Sequence, residues 1–162
     1  TLVKSSAASD VYKRQKKVSS SVGHNLMHNH PFSKERYRQA NQNLKELVAI
    51  LKSGDLEKFI LLTESEALTL HAMMMTSNPY FILMKEGTLS TIEKIWDFRT
   101  NSKIPLSFTL DAGANVHLLY PKDYQQSVMN FINSDLIVFC ENQQYICDEV
   151  GSGAKILNES YA

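Results

Sequence analysis

The chain has 162 residues, 43% of them hydrophobic, enough for one packed domain of ordinary size. Seventeen basic and seventeen acidic side chains cancel, so no overall field favours nucleic acid or an anionic membrane, and any bound anion must be held by local groups. The longest apolar stretches are too short and too interrupted to span a bilayer, and no apolar signal-peptide region is present.

The first fifteen residues carry small and charged side chains with no sustained apolar period. Ser5 to Gln15 (SSAASDVYKRQ) resembles the in-frame translation of a transposon-type sequencing adapter. Thr1–Gln15 is therefore read as an adapter-derived or disordered tail and left out of the fold. The domain is expected over residues 16–162, with the natural protein beginning well upstream of Lys16. From Lys16 to His30 the sequence predicts a short strand followed by a polar loop. Ser19, Ser20 and Ser21 offer hydroxyls and Lys16 and Lys17 positive charge. Together they could hold phosphate oxygens through charge-assisted bonds, or form no more than a solvated serine loop. His24, His28 and His30 have no carboxylate companion, a poor basis for a metal site.

Three helices are expected next. Ser33 is placed to cap the first, with Tyr37, Ala40, Leu44, Leu47, Val48 and Leu51 on one face and Gly54 in the left-handed closing position. Asp55 is placed to cap the second, whose stripe is Leu56, Phe59, Ile60, Thr63, Ala67, Leu70, His71 and Met74, with Glu57, Glu64 and Glu66 on wetter faces. His71 on that stripe reads as a core histidine rather than a catalyst. Met73, Met74 and Met75 read as adaptable core or wall. Ser77-Asn78-Pro79 stops this helix, and the apolar loop through Tyr80, Phe81 and Met84 is expected to pack. The third helix starts near Thr88, with Leu89, Ile92, Ile95 and Trp96 inward and Arg99 near its end.

Phe108 to Tyr120 reads as a hairpin. Two apolar runs flank Asp111-Ala112-Gly113-Ala114-Asn115, and Gly and Asn tolerate the positive φ that a tight reversal needs. Asp111 then sits where a buried strand meets a loop, beside small residues that let a ligand approach. From these residues alone the commoner arrangement is a turn whose Asp only bonds nearby backbone amides. Pro121 suits a first helical position, with Tyr124, Val128, Phe131 and Ile132 as a stripe. Leu136–Cys140 and Tyr145–Cys147 read as two further strands. Cys140 and Cys147 match no metal spacing and are expected as free thiols of a cytoplasmic protein. Gly151-Ser152-Gly153 is too short for a phosphate loop. Helices and antiparallel strands in separate runs give an α+β class.

Four of these stretches, in order, carry a resemblance. Phe-Thr-Leu-Asp-Ala-Gly-Ala-Asn-Val (108–116) is similar to the Asp-Ala-Gly-Pro-Asn segment of the diphosphomevalonate decarboxylases, in the GHMP kinase superfamily, with Ala114 where the family usually has Pro. Lys17 to His24 (KVSSSVGH) is similar to the family's Ser-Thr-Val-Gly-Met segment, Leu70-His71-Ala72 to its Leu-His-Ala, and Ser77 to Phe81 (SNPYF) falls where its Pro-Pro loop falls. The resemblance runs from about Lys16 to the C-terminus. It implies a ferredoxin-like sandwich of helices on an antiparallel sheet, the C-terminal domain of these proteins. It further implies an ATP- and Mg²⁺-dependent decarboxylase that converts mevalonate 5-diphosphate to isopentenyl diphosphate, ADP, phosphate and carbon dioxide. In that reading Asp111 is catalytic, Ser20, Ser21, Ala112 and Gly113 bind substrate, and ATP and Mg²⁺ are held mostly by an N-terminal domain outside this sequence. The resemblance also implies a homodimer when complete and a fragment inactive alone. Another GHMP-family kinase, a phosphomevalonate decarboxylase, or a non-catalytic α+β binding module are the alternatives.

Overall fold

The computed structural model describes residues 2–7 and 20–151, with backbone alone for 2–7, 20–22 and 24. Its elements are β1 (Leu2–Ala7), α1 (Ser20–His28), α2 (Ser33–Ser53), α3 (Leu56–Met75), α4 (Glu86–Ser102), β2 (Ser107–Leu110), β3 (Val116–Pro121), α5 (Gln125–Phe131) and β4 (Ile146–Glu149).

The boundaries of α2 and α3 follow from local chemistry. Gly54 adopts φ 73° and its N–H closes the last turn of α2 on the Ile50 carbonyl. Asp55 caps α3 by accepting from the Lys58 N–H at 3.1 Å. Ser33 does not cap α2; Phe32 occupies that position without a side-chain bond. Four of the six residues of the apolar stripe expected to face inward on α2 are turned outward. Tyr37, Leu44, Val48 and Leu51 are exposed, while Arg36, Asn43, Leu47 and Ile50 lie towards α3. This is a rotation of one residue, about 100°. On the face towards α3, Arg36 and Asn43 both donate to the Glu66 carboxylate.

The sheet has four strands in the order β2-β3-β1-β4, with every neighbouring pair antiparallel. β1 and β2 therefore run parallel on either side of β3, the split βαβ arrangement of a ferredoxin-like domain. This α+β class agrees with the expectation. One contributor does not. Leu2–Ala7, set aside as part of a tail, is an inner strand paired from Ala7↔Val116 to Leu2↔Pro121 on one side and from Ser6↔Ile146 to Val3↔Glu149 on the other. Its sequence has no strong alternation; the pairing comes from its two neighbours. Residues 8–19, with Lys16, Lys17 and Ser19, lie outside the described residues, as do Ser152 and Gly153.

Three further expectations are corrected. Ser20–His28 is a helix, not a loop. Leu136–Cys140 is not a strand: α5 continues through a π-type turn over Ile132–Leu136 and a 3₁₀ turn over Ile137–Phe139. Val128, Phe131, Ile132 and Leu136 keep one buried face throughout, and a short apolar run cannot distinguish strand from buried helix. Pro121 ends β3 rather than opening a long helix. The second expected strand exists as β4. The core joins the inner face of the sheet (Phe108, Leu110, Val116, Leu118, Tyr120) to Ile92 and Ile95 of α4 and Val128, Phe131 and Ile132 below, with Phe98 stacked on Phe131 at 4.1 Å.

Candidate active site

The site is built by one helix laid along one strand. Thr63 of α3 meets Ser107 at the start of β2, hydroxyl to hydroxyl at 2.9 Å. His71 of α3 meets the residue that ends β2, its Nε2 3.0 Å from the Asp111 carbonyl. From Thr63 to His71 the helix rises about 12 Å at 1.5 Å per residue. From Ser107 to Asp111 the strand advances about 13 Å at 3.3 Å per residue. The two elements run parallel and stay in step, so residues 63, 67 and 71, one helical face, follow β2 to its end. Ala67, nearly fully buried between them, allows the close approach.

Asp111 to Asn115 form the β2–β3 loop. The Asp111 side chain is 58% exposed, and its Oδ2 lies 3.9 Å from His117 Nε2 on β3. That gap is longer than a hydrogen bond, and protonation of His117 would add an attraction across it. His117 takes this place because β3 alternates: Val116, Leu118 and Tyr120 enter the core and His117 points the other way. The loop backbone is held at both ends. The Asp111 carbonyl accepts from His71 and from the Gly113 N–H at 2.8 Å. The Ala114 carbonyl accepts from the buried Thr88 hydroxyl at 2.7 Å, and that hydroxyl accepts from the Lys85 N–H at 3.1 Å.

His71 is 1% exposed, and burial pushes its pKa below the usual imidazole value, opposed in smaller measure by the Asp111 carbonyl. A carbonyl oxygen only accepts, so the neutral ring carries its proton on Nε2. Gly113 fits the loop for a steric reason. A Cβ built there would stand 2.9 Å from Asp111 Oδ1. Gly113→Ala must therefore swing the carboxylate; a crystal structure of the variant is expected to show Asp111 in a different rotamer, and an unmoved side chain would count against this packing.

A groove of about 500 Å³ between α2 and α3 is lined by Phe32, Arg36, Arg38, Ala72 and Met73 among others. Its arginines are paired, Arg36 with Glu66 and Arg38 with Glu35. Both ring nitrogens of His30 are engaged, Nε2 with the Thr76 hydroxyl and Nδ1 with the Phe32 N–H. Among the described residues no three His, Cys, Asp or Glu side chains converge as metal ligands. No helix among them is long and apolar enough to cross a membrane.

Residues 10–160 match the sequence family described as the mevalonate 5-diphosphate decarboxylase C-terminal domain. The chain belongs to this family. Solved structures agree in fold. Mevalonate pyrophosphate decarboxylase from Streptococcus pyogenes is 20% identical with a TM-score of 0.82, covering 96% of this chain and 46% of that one. A mevalonate diphosphate decarboxylase from Legionella pneumophila is 26% identical, TM-score 0.77, covering 86% and 44%. MDDEF in complex with MVAPP, AMPPCP and magnesium is 21% identical, TM-score 0.79, covering 91% and 43%. The chain thus spans less than half the length of these relatives. No curated protein matches.

Within this family domain, Asp111, Ala112 and Gly113 share one loop as expected. Ser20 and Ser21 form the first turn of α1; their side chains lie outside what is described, and no described contact joins that turn directly to Asp111. α1 does approach the neighbouring loop, since a Cβ on Gly23 would sit 3.8 Å from Phe81 Cζ. Three neighbours of the site escape sequence reading: His117, Thr88 and the role of His71 in holding the loop. The step of four from Thr63 through Ala67 to His71 was visible, but not which strand it would follow.

Proposed function

We propose that this chain is the C-terminal part of an ATP-dependent decarboxylase that converts mevalonate 5-diphosphate to isopentenyl diphosphate, ADP, phosphate and carbon dioxide. The observation that carries the reading is the Asp111 carboxylate, exposed at the end of β2 on a loop held at both ends, in a chain of this family. Support for the ligands comes from the MDDEF complex with MVAPP, AMPPCP and magnesium.

In this reading the tertiary 3-hydroxyl of the substrate is phosphorylated, and phosphate then departs as the adjacent carboxylate leaves as carbon dioxide. Asp111 orients that hydroxyl and accepts its proton as the phosphoryl group arrives. With a largely dissociative transition state, position matters more than basicity, and the fixed loop provides position. Small side chains at Ala112 and Gly113 let the substrate come close. Ser20 and Ser21 anchor the diphosphate; opening a nine-residue helix, they would bring free backbone N–H groups to the anion as well. ATP and Mg²⁺ are held mostly by an N-terminal domain outside this sequence. The complete protein is a cytoplasmic homodimer.

The test is carbon dioxide release by the complete protein offered mevalonate, its 5-phosphate or its 5-diphosphate with ATP. Turnover with the diphosphate is expected to exceed the others by orders of magnitude, and the purified 162-residue chain is expected to give none. Preference for the monophosphate would reassign the substrate. Phosphorylation without carbon dioxide release would make the protein a kinase of the same superfamily.

A further inference from the structure

We infer that His71 is a positioning residue for the Asp111 carboxylate, acting through its Nε2–H bond to the Asp111 main-chain carbonyl, with Thr88 holding the other end of the loop. The inference rests on the catalytic reading of Asp111 and goes beyond it.

Strand pairing ends at Leu110↔Val116, so the sheet ladder does not fix the peptide that follows Asp111. That peptide is fixed instead by two donors on one carbonyl, the His71 ring at 3.0 Å and the Gly113 N–H at 2.8 Å. A carbonyl oxygen has two lone pairs, and both are used. Fixing the peptide plane fixes the direction in which the Asp111 side chain leaves the backbone. The carboxylate itself is largely in solvent, where it has little else to hold its direction.

His71 can do this because it is rigid. It is 1% exposed on the face of α3 that follows β2, and its neutral ring has one donor, aimed at that carbonyl. A leucine or phenylalanine there would pack as well and donate nothing. The Thr88 hydroxyl, 0% exposed, does the equivalent work at Ala114 from the first turn of α4. The loop is thereby suspended between two helices, with Ala112 and Gly113 between its two anchored carbonyls.

The test is a set of variants of the complete protein, read by kcat and KM. His71→Phe keeps the bulk and removes the donor; its kcat is expected to fall roughly 10- to 100-fold with KM for the diphosphate substrate changed less than about threefold. His71→Gln restores an N–H donor at similar reach and is expected to recover most of the loss. A folded His71→Phe protein with unchanged kcat overturns the inference, as does a Gln variant no better than Phe, which would make the role packing alone. Should His71→Phe not fold, Thr88→Val reads the other end of the loop, with loss of kcat at constant KM expected and unchanged kcat overturning it.

A double variant separates positioning from general damage. Because His71 acts through Asp111, adding His71→Phe to Asp111→Asn is expected to cost almost nothing further, whereas independent effects would multiply. The Asp111→Asn arm also tells the two readings apart. Full activity in Asp111→Asn defeats the catalytic reading of Asp111, while a dead Asp111→Asn beside an unimpaired His71→Phe defeats only the inference about His71.

Discussion

Asp111→Asn in the complete protein is expected to lower kcat by roughly 10³-fold, in the range that a positioned general base contributes, with folding unchanged. Asn has nearly the same shape and can still accept a hydrogen bond from the hydroxyl, so orientation partly survives. Proton acceptance does not. The side chain is more than half exposed and sits 3.9 Å from its nearest ring nitrogen, His117, so the fold does not depend on its charge, and surface substitutions of this kind usually shift stability by less than about 0.5 kcal/mol. Carbon dioxide release and a circular dichroism melt on the same preparation check both halves. A variant with full activity would remove Asp111 from the chemistry, and a complete protein with no activity to lose would leave a non-catalytic α+β module as the better reading.

Much of the frame that places this carboxylate was legible in the residues. The hairpin could be read because Asp-Ala-Gly-Ala-Asn is a turn between two apolar runs, and both strands form where those runs lie. The α2–α3 junction could be read from Gly54 and Asp55, whose conformations are decided locally. What escaped was decided at a distance. On α2, Arg36 and Asn43 face a carboxylate of another helix, Glu66, a pairing that the pattern of α2 alone does not reveal. The strand Leu2–Ala7 depends on two neighbours that lie more than a hundred residues away. Leu136 to Cys140 has the composition of a strand, yet Leu136 and Cys140 continue the buried face of the preceding helix while Val138 turns out. At the site, Asp111 and its small neighbours were visible as a motif. His71 was visible only as a core residue, since its partner is a main-chain atom that no side-chain pattern reveals.

Glu64 gives the largest stability effect expected, and it overturns a sequence expectation. It was placed on a wetter face of α3, as glutamates in helices usually are, but it is buried at 8% exposure. Its carboxylate accepts from Trp96 Nε1 at 2.9 Å and from both terminal nitrogens of Arg99 at 2.6 and 3.1 Å. Arg99 also donates to the Leu106 carbonyl at 2.6 Å, immediately before β2. Trp96, read as a core anchor, is 39% exposed and contributes its N–H instead. The network ties α3, α4 and the start of β2 together, at the opposite end of the strand from His71. Glu64→Ala is expected to destabilise the protein by about 3 kcal/mol, the low end of the cost of leaving a buried charge without its partner, because the Arg99 side chain keeps some access to water. Urea unfolding measures this. Much of the cost lies in the orphaned guanidinium, so the double variant Glu64→Leu, Arg99→Met is expected to regain part of the stability, less what the Trp96 N–H and the Leu106 carbonyl lose with their partners. A double variant as unstable as Glu64→Ala would mean that the ion pair itself, by setting where β2 begins against α3, holds the strand in step with the helix. The same misregistration would then reach Asp111 and appear as a loss of kcat even where the protein remains folded.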